Sequence, residues 1–380
     1  MSMTRRSVLT SVSAAAALGL AGCLDSDGGG SVDPSTIEVV GEGTLNTSAT
    51  APLPVPEPPD IEGAPPVTTD RPGLAYDLET LEDAAVSGGV SQDGIPSIDT
   101  PVFVEAGDAD IDPDSIVFGV ELDGTARAYP QSILVWHEIV NDRIGDYSIA
   151  VTYCPLTGTA QGFERGDAAF GVSGMLVNSN LIMYDRTTDS WYPQVLGTGI
   201  TGPMAGLQLR EFRVLWTTWE RWRSRYPETE LLTEQTGFIR DYTYDPYGSQ
   251  GYYTGDWLTF PSLLEDDRAH RKEVVLGTRT PDGAIAYNME RLQAELVLQG
   301  AIGDTAYVAV ADQGLATGYV YANPSQVEIV PEGDQYLIDG VRYRSDELPL
   351  ERSLSFDAMW FAWAGYYPHT AYVDGNTDAG

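Results

Sequence analysis

The chain has 380 residues and a net charge of −35, with 56 acidic against 21 basic side chains. So large an acid excess excludes a nucleic-acid partner, which as a polyanion would be repelled. Two cysteines in 380 residues exclude a disulfide framework.

Of the basic residues only Lys272 is a lysine. Excess carboxylate with almost no lysine is the surface expected in very high salt, where the Debye length is about 3 Å or less and self-repulsion is screened. The composition points to an extremely halophilic source of archaeal type. The acidity needs no cationic partner to explain it.

Residues 1–22 read as a targeting segment. Arg5-Arg6 precedes an apolar run from Val8 to Leu20, too short to span a bilayer comfortably. The paired arginines resemble a twin-arginine signal. Leu20-Ala21-Gly22-Cys23 looks like a lipobox, so cleavage before Cys23 would leave it lipid-modified at the new N-terminus. The alternative is an ordinary signal peptide with an incidental cysteine. Two lipid chains would anchor the protein stably to the outer face of the cytoplasmic membrane.

Residues 23–73 are rich in Gly, Ser, Thr and Pro, and Ala51 to Pro66 holds seven prolines with no helical or strand period. This composition predicts a disordered, fairly extended tether. Asn46-Thr47-Ser48 within it is a glycosylation sequon.

The rest divides into two related halves, 74–240 and 241–374, with a tail at 375–380. Val117-Phe118-Gly119, Asp123-Gly124 and Ala128-Tyr129 recur as Val275-Leu276-Gly277, Asp282-Gly283 and Ala286-Tyr287. Ile144-Gly145-Asp146 recurs as Ile302-Gly303-Asp304. Trp219-x-x-Trp222 with Tyr226-Pro227-x-Thr229 recurs as Trp360-x-x-Trp363 with Tyr367-Pro368-x-Thr370. Three blocks in one order indicate an internal duplication.

Each half predicts a β-hairpin turning at Asp-Gly. In the first half a helix follows over Pro130 to Asn141, with proline near its first turn. Strands are expected over Tyr147 to Tyr153, Thr159 to Phe163, Ala169 to Ser173 and Leu181 to Tyr184. Helices near the paired tryptophans, Thr217 to Arg225 and Phe356 to Ala364, close the halves. Tryptophans three apart share a helix face, which suits core or inter-repeat packing. Mostly short antiparallel strands with a few helices predict an α+β fold.

Cys154, in Tyr153-Cys154-Pro155-Leu156-Thr157-Gly158-Thr159, is the cysteine left after cleavage. A thiol at a strand's end is a candidate redox nucleophile or soft metal ligand, and only its thiolate does either. The alternative is an inert buried cysteine. His137 lies on the helix before the cysteine strand, so the two are expected to meet. His270 and His369 look like surface residues. Met175 and Met183 follow in the same half. Cys154, His137 and Met183 would together suit copper, although methionine more often fills a core and the spacing matches no standard metal motif. Asn178, Asn180, Asp185 and Arg186 form a polar cluster that could line a pocket or bond its own backbone. The second half has Ala311-Asp312-Gln313-Gly314 near the position of Cys154, and Glu295 opposite His137. No Gly-rich phosphate loop, Gly-x-Ser-x-Gly elbow or HExxH occurs.

Ser87-Gly88-Gly89 with Asp93-Gly94-Ile95-Pro96-Ser97-Ile98-Asp99, Trp136-His137-Glu138-Ile139-Val140-Asn141-Asp142, Thr152 to Ala160, Phe170 to Gly174 and Asn178 to Arg186 resemble the prokaryotic family catalogued as domain of unknown function 3179. The resemblance covers roughly Ser87 to Val373 and brings no assigned activity. It implies one chemical hint. Many members resembling this chain read Cys-Pro-Leu-Cys, some with selenocysteine last, which looks like a thiol redox or soft-metal pair. Here the second position is Thr157, so no internal disulfide can close. Either an external thiol or protein partner is required or the redox role is lost. Thr157 could instead hydrogen-bond the Cys154 thiolate. Trp191-Tyr192-Pro193-Gln194 stands where the family usually has a shorter Trp-Ser-Gln, which puts a role for Gln194 in doubt.

The sequence therefore leads to a lipid-anchored surface protein with a thiol redox or copper site at Cys154. The alternative is a non-enzymatic surface scaffold that binds a partner.

Overall fold

The computed structural model describes residues 55–375. The targeting segment, Cys23, the sequon and residues 23–54 of the expected tether lie outside the described residues. Short strands, mostly antiparallel, dominate, with a few short helices between them, so the fold is α+β.

Two sheet patterns occur twice. In the first half, Leu215–Thr218, Ile116–Leu122, Thr125–Pro130 and Glu230–Leu232 are neighbours in that order. In the second, Ser355–Met359, Val274–Thr280, Gly283–Asn288 and Ala371–Val373 follow the same order. The closing strand is parallel to its neighbour in both. Each half also has an antiparallel meander: Ile139–Ile144, Tyr147–Cys154 and Thr159–Glu164, then Val297–Ile302, Thr305–Asp312 and Thr317–Ala322. A seven-residue helix joins the two sheets in each half, Gln131–His137 and Met289–Glu295.

The repeated motifs have a packing reason. A Cβ on Gly119 would lie 2.3 Å from the Trp222 ring, and one on Gly277 would lie 2.2 Å from the Trp363 ring. Only glycine lets the indole lie directly on the strand. The indole N–H of Trp222 then donates to Thr229 Oγ1 at 2.8 Å, and that of Trp363 to Thr370 Oγ1 at 2.9 Å. The glycine, the second tryptophan and the threonine of Tyr-Pro-x-Thr are thus one unit, built twice.

The halves share their cores. Trp219 and Trp222 pack with Val308, Val310, Tyr319 and Tyr321 of the second half. Trp360 and Trp363 pack with Val177, Ile182 and Leu196 of the first. The parts on either side of residue 240 therefore do not have independent hydrophobic cores.

Several expected boundaries move. The helix expected over Pro130 to Asn141 ends at His137, because Glu138 turns left-handed at φ 58° and Ile139–Ile144 continues as a strand. The helix expected over Phe356 to Ala364 begins only at Trp360, since Ser355–Met359 is taken into the second sheet. The second hairpin turns at Pro281-Asp282, with Gly283 already paired to Thr280. Residues 55–73, expected as tether, are packed on the first half. Val67–Thr68 pairs with Gln208–Leu209, and the Arg71 guanidinium donates to the Gly206 carbonyl at 2.8 Å. Apart from that short strand, prolines there fix the chain without helix or sheet, which composition alone reads as disorder.

Candidate functional site

Cys154 is the last residue of the strand Tyr147–Cys154 and pairs with Thr159 across a tight turn. Gly158 supplies the left-handed residue of that turn, at φ 58°. The thiol is 1% exposed. Its sulfur accepts from the Leu181 amide at 3.4 Å and lies 3.8 Å from the Ser179 carbonyl.

A buried polar network fixes the turn from beneath. Asn180 Nδ2 donates to Thr157 Oγ1 at 3.2 Å and to Gln194 Oε1 at 3.0 Å. Gln194 Nε2 in turn donates to Thr152 Oγ1 at 2.9 Å and to the Thr159 carbonyl at 3.0 Å. Thr152, Thr157, Thr159, Asn180 and Gln194 are all fully buried. Such a network tolerates little change, because each lost partner leaves an unsatisfied group. It gives Gln194 a clear place despite the altered spacing around it. The second half also holds the turn, through the Met359 amide donating to the Thr157 carbonyl at 2.9 Å.

The irregular stretch between Leu232 and Val274 covers the turn. The Tyr252 hydroxyl donates to the Leu156 carbonyl at 2.8 Å, and Ser179 Oγ to the Phe260 carbonyl at 2.6 Å. Lys272 donates to the Tyr252 carbonyl and stands 3.5 Å over that ring. Burial pushes the Lys272 amine down to about 8.

Burial pushes the Cys154 thiol up to about 11, and the charge of Glu138 pushes the same way. Hydrogen bonds from Thr157 and from the Leu181 amide oppose them without prevailing. The influence of Thr157 on the thiol thus opposes burial and does not outweigh it.

His137 does not meet Cys154. Its Nδ1 is 2.7 Å from the Pro96 carbonyl and its Nε2 is 2.7 Å from the Tyr242 hydroxyl. A carbonyl only accepts, so Nδ1 carries the proton and the neutral ring's Nε2 accepts from Tyr242. Both nitrogens are occupied, and burial lowers the imidazole to about 4. Helix termination at His137 leaves the ring against Pro96 and Tyr242. Met183 is fully buried in the apolar cluster that holds Cys154, Leu156 and Leu181. Among the described residues no three His, Cys, Asp or Glu side chains converge as metal ligands. Both nitrogens of the expected copper ligand His137 are thus engaged by Pro96 and Tyr242.

The polar cluster is structural. Asn178 bridges the halves, donating to the Ala362 carbonyl at 2.8 Å and accepting from the Leu263 amide at 2.9 Å. Asp185 accepts from the amides of Thr187 and Thr188 and from the Tyr192 hydroxyl. Arg186 binds Asp99 at 2.6 Å, Asp93 at 3.1 Å and Ser97 at 2.9 Å, which straps 93–99 to the hairpin. Only Asn180 of the four serves the cysteine turn.

Sequence reasoning missed Glu138. It is 5% exposed, and its carbonyl accepts from the amide of Tyr153, the residue before Cys154. Burial alone pushes its carboxyl up to about 8, with no hydrogen bond or cation opposing. The available signal was its place between His137 and Ile139 in a family-like motif.

The second half builds the same frame differently. Leu296, left-handed at φ 69°, stands where Glu138 stands. Asp312 ends the strand Thr305–Asp312 as Cys154 ends its own. It accepts from Arg225 at 2.6 Å, from Ser345 Oγ at 2.7 Å and from the Leu315 amide at 2.9 Å.

No curated protein and no solved structure matches the chain. One protein-family profile does, over residues 92–370, a span that contains the helix, the cysteine turn, the covering stretch and both tryptophan pairs. The chain therefore belongs to the family described as protein of unknown function, DUF3179.

Proposed function

We propose that this is an exported protein, held at the outer face of the cytoplasmic membrane by a lipid on Cys23, with a thiol–disulfide exchange site at Cys154. The anchor rests on the twin-arginine and lipobox pattern of residues 1–23. One observation carries the thiol reading. The cysteine turn of the first half is held by a buried hydrogen-bond network with a thiol at its end, whereas the matching turn of the second half ends in an aspartate locked to Arg225. A fold that can close this turn with a carboxylate does not need a thiol there for stability. Thr157 in the second position means that the exchanging disulfide comes from outside the chain. Copper is the weaker reading, because both His137 nitrogens have other partners.

One observation favours the second reading, a surface scaffold with no reactive site. The thiol is 1% exposed and pushed up to about 11, whereas reactive thiols are commonly exposed and acidified. The test uses the full chain in high salt with a small aromatic disulfide. Release of one thiol equivalent from the folded protein, lost in Cys154→Ser, supports exchange. Reaction only after unfolding supports the scaffold. Release of the Cys23→Ser protein into the medium supports the anchor, and its retention at the membrane refutes it.

A further inference from the structure

The matching turns of the two halves are covered in different ways. In the second half the cover is a small antiparallel sheet, Val330–Glu332, Gln335–Ile338 and Val341–Arg344. Its Tyr336 hydroxyl donates to the Ala311 carbonyl at 2.6 Å, and Ser345 at its end donates to Asp312 at 2.7 Å. In the first half Tyr252 covers the turn, with its hydroxyl on the Leu156 carbonyl at 2.8 Å. The chain that carries Tyr252 pairs into no sheet. Between Leu232 and Val274 its regular structure is one three-residue helical turn, Gly248–Gln250.

This cover is pinned at both ends. On one side the Tyr242 hydroxyl meets His137 at 2.7 Å, and the Trp136 indole donates to the Tyr244 carbonyl at 3.1 Å. On the other, Ser179 donates to the Phe260 carbonyl at 2.6 Å, and the Leu263 amide donates to Asn178 at 2.9 Å. The segment 245–258 between them contains Gly248, Gly251 and Gly255, and Gly251 is left-handed at φ 75°. Tyr252, 1% exposed, lies at its middle. Lys272, the one lysine of the chain, closes on Tyr252 from outside the segment. Its amine donates to the Tyr252 carbonyl, stands 3.5 Å from the centre of that ring and lies 5.2 Å from the Trp257 ring. A compact ammonium serves the carbonyl and the ring faces at once.

The geometry points to a gate: segment 245–258 is a lid over Cys154, Tyr252 is its plug, Lys272 is its latch, and local opening admits the external disulfide. This rests on the exchange reading above, in which a thiol 1% exposed has to be reached from outside. Withdrawal of Tyr252 frees the Leu156 carbonyl and removes a ring from the apolar cluster that holds Cys154 and Leu156. An irregular segment held by side-chain contacts opens at lower free energy than paired strands. The pinned ends confine the motion, so the strand and the network beneath the turn stay in place.

The experiment uses the full chain in high salt with two readouts, each followed across low denaturant. Native-state hydrogen exchange compares the Tyr252 amide, bonded to the Tyr247 carbonyl at 3.1 Å, with the amides of Tyr147–Cys154. Thiol release from the same aromatic disulfide is measured in parallel. The Tyr252 amide should exchange ahead of the strand amides, with little denaturant dependence, because local opening exposes little surface. Lys272→Met keeps an unbranched apolar stem and removes the charge. It should speed both readouts about tenfold, as loss of a desolvated cation–π contact and its hydrogen bond predicts. Tyr252→Phe, which lacks only the hydroxyl, should speed both about fivefold. The strand amides should not change in either variant. Exchange of the Tyr252 amide only together with the strand amides overturns the gate. So do thiol-release rates of both variants within about twofold of a wild type that reacts while folded, and either result leaves the exchange reading intact. Local opening with no thiol release from the folded wild type overturns the exchange reading and the gate with it.

Discussion

The ends of two strands, Tyr147–Cys154 and Thr305–Asp312, differ more than the frames around them. Both follow a seven-residue helix, a left-handed residue and an antiparallel partner. In the first half the helix leads into Glu138, and the strand ends in a thiol over threonine, asparagine and glutamine. In the second it leads into Leu296, and the strand ends in a carboxylate paired with Arg225. The comparison separates what builds the frame from what is placed on it. Glycine, the tryptophan pairs and the threonine that binds the indole are common to both halves. The thiol, the Glu138 carboxyl and the buried amides around the cysteine turn belong to one.

The largest expected effect tests the shared part. Trp222→Ala and Trp363→Ala should each cost about 3–5 kcal/mol, read as the shift in a denaturant midpoint in high salt. Each ring fills a strand-surface position that only glycine leaves open and also loses its hydrogen bond to threonine. A small loss in one half alone would mean that the two tryptophan units are not equivalent.

Asp312→Asn should come next. It keeps the shape but removes the charge facing Arg225, with an expected loss of about 1.5–3 kcal/mol. Cys154→Ser, measured in parallel, should cost less, because the sulfur makes only long hydrogen bonds. Equal losses would break the view that one turn is structural and the other is held for chemistry.

The last test is a pH slope. The His137 imidazole falls from 6.5 to about 4 on folding, so the unfolded chain binds more protons between those values. Its contribution is present above about 6.5 and lost as pH drops through 4. Glu138 acts in a different window. Its folded value is raised from 4.5 to about 8, so stability is greatest below 4.5 and declines as pH rises through 8. Unfolding midpoints of His137→Gln should lose the acid slope, and those of Glu138→Leu the alkaline one. Retention of either slope would mean that another group carries it.

Much of this frame was legible in the sequence. The repeated Val-x-Gly, Trp-x-x-Trp and Tyr-Pro-x-Thr blocks marked the paired units, and the expected strands of the first half fell within one to four residues of those observed. Cys154 was placed correctly at a strand's end. The pairing of His137 with Cys154 was not legible, since neighbours in a helix–strand sequence can face apart. Nor was the packing of residues 55–73, where prolines and glycines give no period but still bury against strands.

Composition, motif order and chain polarity determined the acidic surface, the α+β class, the paired halves and the position of the lone thiol. They act locally or by repetition, and a sequence records both. Tertiary structure decided which side chains share a site. Helix termination at Glu138 turned His137 toward Tyr242, and the covering stretch sealed Cys154 in a low-dielectric interior. Burial there raised both the thiol and the Glu138 carboxyl, and burial is a property of the whole packed chain, not of any stretch of it.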